Sequence, residues 1–246
     1  MLSTLSVYNF IKYSYTKSVS DLLTSLLLLC IASVLHAGII LVATGYLYYF
    51  LRETKMSLFN VRPRRAFVWA VFGVVMVLLL LNKDIFLRKF AVGVSLEQLY
   101  SVVNRPAPVH AGSAYLQGYR VSSLTDLITF VPLKTIYLLL SPMIWDVRGF
   151  QDVAAILLDS AFYLILMLSM CEVWLKRHLV GKHKLLIEAL VLSIVAVAAV
   201  FAMGTTAAGT AMRHRYKILS LLLITTSIPV SMKIRRAESI ANRYDM

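Results

Sequence analysis

Long apolar segments constrain the fold of this 246-residue chain more than any other feature. The longest covers residues 21–51, and a helix of that length would extend about 46 Å. A bilayer core needs only about 20 helical residues, so the run is too long for one untilted crossing. His36-Ala37-Gly38 is its predicted point of weakness. Four further runs each have about the length of one crossing: 66–82, 150–175, 184–203 and 216–232.

The composition favours a membrane protein over a soluble one. Hydrophobic residues make up 59% of the chain and charged residues only 15%, whereas soluble domains are closer to half apolar and a quarter charged. Residues 1–20 lack the compact apolar core and the small-residue cleavage pattern of a signal peptide. We predict an all-α, polytopic transmembrane helix bundle with about five spans, forming one integral membrane domain over residues 1–246.

Basic residues give the expected orientation. The loops 52–65 and 176–184 and the tail after Met232 are rich in lysine and arginine. Such loops collect on the cytoplasmic side of a membrane. We therefore place all three regions in the cytoplasm.

This orientation makes the segment 123–145 unusual. The span 66–82 leaves the cytoplasm and the span 150–175 returns to it, so both ends of 123–145 lie outside. We predict a re-entrant or interfacial segment there, with an outer loop at 83–122 covering a cavity, because irregular backbone at membrane depth must be buried or line a cavity.

Cations also accumulate on the predicted outer side, where orientation rules do not explain them. The whole chain has a net charge of +13. Nucleic acid is a poor explanation, because most basic residues flank apolar spans. A negatively charged ligand explains the outer cations better, and these are Lys83, Arg88, Lys89, Arg105, Arg120, Lys134, Arg148, Arg213 and Arg215.

The run Gly209-Thr210-Ala211-Met212-Arg213-His214-Arg215 stands between two apolar segments and predicts an anion site at the outer membrane surface. The free N–H groups and the dipole at a helix N-terminus add positive potential. Lys217 follows Arg213 by four residues and shares its helix face. We interpret Arg213, Arg215 and Lys217 as contacts for a pyrophosphate or lipid phosphate. Simple anchoring to lipid headgroups is the alternative.

The outer loop combines arginines with aromatic residues. Arg105 and Arg120 lie near Tyr115 and Tyr119. Guanidinium groups and aromatic faces suit phosphorylated sugars, so we predict glycan contacts here. A solvated surface loop would have the same composition, and the two interpretations stay open.

Other ionisable residues lie in or near the membrane, where such groups are functional candidates by default. Lys134 is predicted to contact phosphate. Asp159 is predicted to pair with an arginine or lysine, and a structural ion pair and a catalytic role both stay open for it. His110 and His214 are candidate general bases, whereas His36 is expected to be buried and hydrogen-bonded. The sequence shows no ligand spacing for a metal and no dinucleotide or phosphate-loop motif, so neither a metal nor a cofactor is predicted.

Four stretches together resemble the C-terminal part of bacterial O-antigen polymerases of the Wzy type, over roughly residues 25–235. They are Leu35-His36-Ala37-Gly38; Ser113-Ala114-Tyr115-Leu116 with Gly118-Tyr119; the segment from Ser123 to Trp145 with its Leu-Leu-Ser-Pro-Met-Ile-Trp; and Gly209 to Arg215.

This resemblance implies a metal-independent glycosyltransferase at the periplasmic face of a bacterial inner membrane. Its reaction would join oligosaccharide repeat units carried on undecaprenyl pyrophosphate into O-antigen, capsule or exopolysaccharide. His214, His110 and Asp126 are then the catalytic candidates. Lipid-linked oligosaccharide, membrane lipids and other polysaccharide-export or polymerase subunits are the expected partners. A non-enzymatic transporter, flippase or assembly subunit that handles an anionic lipid or glycan remains the alternative.

Overall fold

The computed structural model describes residues 1–55, 73, 100, 101, 103, 104, 114–116 and 119–244, with the backbone alone at residues 37, 54, 55, 182 and 229–244. Within those residues all regular elements are helical, and the one β feature is an isolated bridge between Ala114 and Ala207. All of the predicted span 66–82 except residue 73, and most of the predicted outer loop 83–122, lie outside the described residues.

The N-terminal segment is a packed helix. Helix α1 (Leu2–Thr16) lies against helix α2 (Val19–Leu35). Ser6 and Ser25 each donate a hydrogen bond from Oγ to the other's carbonyl oxygen, both at 2.8 Å. Such reciprocal bonds satisfy polar groups between closely packed apolar helices. Val7 and Phe10 are fully buried, so α1 forms part of the core.

The long apolar run breaks where the sequence predicts. Helix α2 ends at Leu35, His36 is extended, a 3₁₀ turn covers Ala37–Leu41, and helix α3 occupies Val42–Lys55. Gly38 sits so close to the ring of Phe201 that an added Cβ would lie 2.9 Å from it. The expectation for His36 is wrong, because the side chain at this break is exposed and not buried.

Helix α4 (Leu124–Leu140) begins with a capping box formed by Ser123 and Asp126. Pro132 lies inside the helix without ending it. The chain then turns at Ser141–Pro142 into a short 3₁₀ turn, Ile144–Asp146. The segment predicted at 123–145 is thus one 17-residue helix followed by a turn.

Two helices are long and apolar enough to cross a bilayer, among the described residues and by length and composition alone. Helix α5 (Phe150–Leu175) has 26 residues with a mean hydropathy of 2.1, and helix α6 (Lys184–Met203) has 20 residues with 2.7. Both match predicted spans closely. Helix α5 contains a π-helical turn, Ile156–Ser160, and a 3₁₀ segment, Arg177–His183, joins it to α6.

Helix α7 extends from Ala208 to Tyr244. It therefore begins eight residues before the predicted span 216–232. This corrects the prediction that Arg213, His214 and Arg215 lie at a helix mouth, since the three occupy the second turn of α7. The free N–H groups of the first turn precede them.

Candidate functional site

Arg215 is the largest fully buried side chain of the described protein, at 0% exposure. Its Nη1 donates to the carbonyl oxygen of Leu139 at 2.9 Å, and its Nη2 donates to that of Ser141 at 2.6 Å. These carbonyls close the C-terminal end of α4, where backbone acceptors have no partner within the helix. Arg215 thus caps α4 from a neighbouring helix.

The same guanidinium forms an ion pair with helix α5. Its Nη2 lies 2.8 Å from Oδ2 of Asp159, although the contact lacks hydrogen-bond alignment. The guanidinium carbon lies 5.3 Å from the ring centre of Tyr163. Asp159 belongs to the π-helical turn, and such turns often mark functional positions. The structure therefore places Arg215 inside a junction of α4, α5 and α7, not on the open surface that the sequence predicts.

Two other residues of the predicted anion site, His214 and Lys217, come together beside α6. The ring of His214 lies 4.7 Å from the ring of Phe201, and the Nζ of Lys217 lies 5.0 Å from the same ring. Lys217 Nζ is 3.5 Å from His214 Nδ1. Arg213 is exposed one turn before Lys217. No described residue forms an ion pair with these three side chains.

The 3.5 Å contact between Lys217 Nζ and His214 Nδ1 favours one tautomer of His214. A lysine ammonium can only donate, so Nδ1 must accept, and the neutral ring then carries its proton on Nε2. His214 in that form presents a donor at Nε2 and no free basic nitrogen. The geometry accordingly favours a role in anion binding over the predicted role of general base.

His36 joins this group through the break between α2 and α3. Gly38 lies against the ring of Phe201, which His214 and Lys217 also approach. His36 lies two residues before Gly38, at the same break between α2 and α3. We call the group formed by His36, Arg213, His214 and Lys217 the outer cation group, after the side of the membrane that the sequence predicts for it. Sequence reasoning named His36 in a motif but did not place it beside His214.

Lys134 is buried and hydrogen-bonded within the protein. It is 3% exposed, and its Nζ donates to the carbonyl oxygens of Val103 and Met203, both at 3.0 Å. The ammonium also lies 5.5 Å from the ring centre of Phe130. Burial of a lysine requires such partners. The predicted phosphate contact finds no support here, because Lys134 closes the C-terminal end of α6.

Asp126 has its carboxylate engaged at the start of α4. Its Oδ2 accepts from the backbone N–H groups of Ser122 and Ser123 at 3.0 and 2.9 Å, and from the Ser122 hydroxyl at 2.9 Å. Those bonds, first of all the one from the Ser122 backbone, hold the pKa of the carboxyl below its usual value. A carboxylate bound in this way is a poor proton acceptor, so the geometry supports a cap and not a base.

The aromatic residues of the predicted glycan site separate. Tyr115 is 6% exposed, its ring lies 5.0 Å from that of Tyr137, and its backbone N–H donates to Thr206. Tyr119 stacks on Phe130 at 4.7 Å yet stays 58% exposed. Arg120 is exposed beside it. Tyr119 and Arg120 therefore remain available to a ligand, whereas Tyr115 is a core residue. Arg105 and His110 lie outside the described residues.

No family model, curated protein or solved structure matches the chain. Among the described residues there is also no group of three or more histidine, cysteine or acidic side chains that could hold a metal ion.

Proposed function

We propose that this protein is a membrane glycan polymerase that holds the pyrophosphate of a lipid-linked oligosaccharide at the outer cation group. One observation carries the proposal: Arg213, His214 and Lys217 stand together on α7 without an ion-pair partner among the described residues. Helix-borne cations without carboxylate partners, beside the long apolar helix α6, fit an anion attached to a lipid tail.

The role of the cations in the proposed reaction follows from the negative charge that develops on the departing pyrophosphate. An acceptor hydroxyl on one repeat unit attacks the anomeric carbon of another, and the bond from that carbon to the pyrophosphate oxygen breaks. The electron pair leaves with the pyrophosphate, so cations there stabilise the transition state. Arg213 and Lys217 supply charge and His214 supplies an Nε2 donor. The hydroxyl proton passes to a base, for which His110 remains the prediction.

We further propose the topology of a bacterial inner-membrane protein with the outer cation group on the periplasmic side. Arg215 lies about 10 Å along α7 from Ala208, by the 1.5 Å rise per residue. Its contact with Ser141 puts the end of α4 at that depth. Arg148 then bonds to the carbonyl oxygen of Ala114, which bridges to Ala207 just before α7. These contacts support a re-entrant path that descends along α4 and returns by Arg148.

A second candidate is a non-enzymatic transporter or flippase for an anionic lipid or glycan. It is favoured by the Arg215–Asp159 ion pair, since charged pairs within apolar helices often mark transport paths. The two candidates differ in their product. Loss of a flippase leaves repeat units on the cytoplasmic side, whereas loss of a polymerase leaves single repeat units at the cell surface.

The test uses cells whose surface polysaccharide depends on this protein. In Arg213→Ala and Lys217→Ala variants we expect the polymer ladder on a gel to collapse toward single repeat units. Lys176→Ala is the matched control, because Lys176 is an exposed cation at the other end of the bundle, and its ion pair within the described part of the chain is with Glu172. Full-length ladders in both test variants at normal protein level would refute the proposal.

A further inference from the structure

An open cavity of about 730 Å³ lies at the end of the bundle opposite the outer cation group. It is formed by the C-terminal ends of α1 and α3, the 3₁₀ segment Arg177–His183 and the start of α6. Lys184 at its rim and Phe201 beside His214 are separated by about 26 Å along α6, at 1.5 Å per residue. The cavity is therefore distinct from the proposed pyrophosphate site, and its size is typical of small-ligand sites.

Both carboxylates in the cavity wall are already neutralised. The Nζ of Lys17 lies 2.6 Å from Oε1 of Glu53. Glu188 accepts from the Tyr48 hydroxyl at 2.8 Å and from Nε of Arg177 at 3.2 Å. Because Glu53 is paired with Lys17, and Glu188 with Arg177 and Tyr48, the other cations of the wall are not required to neutralise these carboxylates.

Arg52 and Lys184 keep donor groups that have no hydrogen bond to a described residue. Arg52 is exposed, and its one described hydrogen bond runs from Nε to the Tyr48 hydroxyl at 3.3 Å, which leaves both terminal amino groups available. Lys184 is half exposed, with its Nζ 4.0 Å from the already bonded Glu188. It also begins α6, whose N-terminus has no side-chain cap and adds positive potential.

The cavity floor suits a ligand with both charge and apolar surface. Tyr49 contributes an aromatic face, and Leu185 and Leu186 contribute apolar contacts. Gly181 shapes the wall with φ 53° and ψ −120°, a conformation that side-chain-bearing residues rarely adopt. This glycine turns the chain so that the start of α6 faces the end of α3.

We propose that this cavity binds a phosphate group through the guanidinium of Arg52 and the ammonium of Lys184. Arginine matches two phosphate oxygens with paired N–H donors, and lysine adds a point charge. The same chemistry is offered by an anionic phospholipid headgroup and by a soluble phosphate ester. The position at one end of the membrane bundle makes both accessible.

The experiment measures binding to the purified full-length protein in detergent. One arm uses native mass spectrometry with short-chain phosphatidylglycerol, and phosphatidylcholine as the uncharged reference. The other titrates glycerol 3-phosphate and follows the melting temperature. Saturable binding in the first arm alone identifies a lipid, and binding in the second identifies a soluble ester. Either result supports the site, and binding in neither arm overturns it.

Variants locate the bound probe. We expect Arg52→Gln and Lys184→Gln each to weaken binding by about tenfold, the effect of losing one hydrogen bond between charged groups. The control Lys176→Gln removes an exposed cation outside the cavity and should bind as wild type does. Unfolding curves check that each variant is folded. Wild-type affinity in a folded Arg52→Gln, Lys184→Gln double variant would refute this site even where the probe binds.

Discussion

At the scale of single residues, Arg215 joins three helices through one side chain. Its guanidinium satisfies two carbonyls at the end of α4 and pairs with Asp159 of α5. A buried ion pair contributes little net stability, yet removing one partner leaves an uncompensated charge. Arg215 should therefore be far more sensitive to substitution than the exposed Arg213 two residues earlier.

Replacing Arg215 with methionine tests this difference. We expect Arg215→Met to lower the free energy of unfolding by about 3–5 kcal/mol, because Asp159 loses its cation. The matched control Arg213→Met should stay within about 0.5 kcal/mol of wild type. Adding Asp159→Asn to Arg215→Met should recover part of the loss. Denaturant unfolding in detergent provides the measurement, and equal losses from both arginines would contradict the structural role of Arg215.

At the scale of elements, the contact between α3 and α6 depends on a residue without a side chain. A Cβ on Gly45 would overlap the carbonyl of Ala189 and the hydroxyl of Ser193. The same serine donates to the carbonyl oxygen of Val42 at 3.0 Å. Close approach of helix backbones at small residues is typical of membrane bundles.

A methyl group at this contact should separate the two helices. We expect Gly45→Ala to lower the free energy of unfolding by about 1–3 kcal/mol, which is the usual effect of overpacking. Gly209→Ala is the control, since nothing lies within 4 Å of an added Cβ there. Melting curves of the two variants provide the comparison. A Gly45→Ala protein as stable as Gly209→Ala would show that α3 and α6 do not pack so closely.

Substitutions at the start of α4 distinguish a structural role of Asp126 from a catalytic one. Ser123→Ala should lower the free energy of unfolding by about 1 kcal/mol, because it removes the N-terminal cap of α4. Asp126→Asn retains a side-chain oxygen that can accept the capping bonds, so polymer length should be unchanged, as measured by gel ladders. A loss of polymer in folded Asp126→Asn would instead support catalysis.

The same carboxylate has a defined pH dependence. Its pKa in the folded protein lies below the unfolded value of about 3.9. Its contribution to stability is therefore fully present above that value and is lost as the pH falls through the folded pKa. Unfolding measured in this acidic range should show a smaller decline for Asp126→Asn than for wild type. Identical pH profiles would contradict the charged cap.

At the scale of the whole molecule, the proposed re-entrant path of residues 123–145 can be tested by its topology. In a protein with Cys30 and Cys171 replaced by serine, we expect Ser122→Cys and Gly149→Cys to react with an impermeant thiol reagent from the same side. Lys176→Cys should react from the other side, because α5 extends about 39 Å. Labelling of positions 122 and 149 from opposite sides would mean that α4 crosses the membrane.

Sequence patterns predict the helices better than the site. The apolar runs give α5 and α6 within a residue, because length and hydropathy suffice for such helices. The break at His36 follows from a polar residue and a glycine within an apolar run. The burial of Arg215 and Lys134 depends on which distant carbonyls they meet, and local sequence carries no signal for that. Gly38 and His214 likewise both lie against the ring of Phe201, a contact that the local sequence does not indicate.

The contacts of Arg215 also have a consequence for the order in which the helices assemble. Translation runs from the N-terminus, so the carbonyls of Leu139 and Ser141 and the carboxylate of Asp159 are synthesised before the arginine that pairs with them. In the membrane topology proposed above, these groups have no arginine partner until α7 is inserted. In that topology, insertion of α7 is the step that completes the junction of α4, α5 and α7.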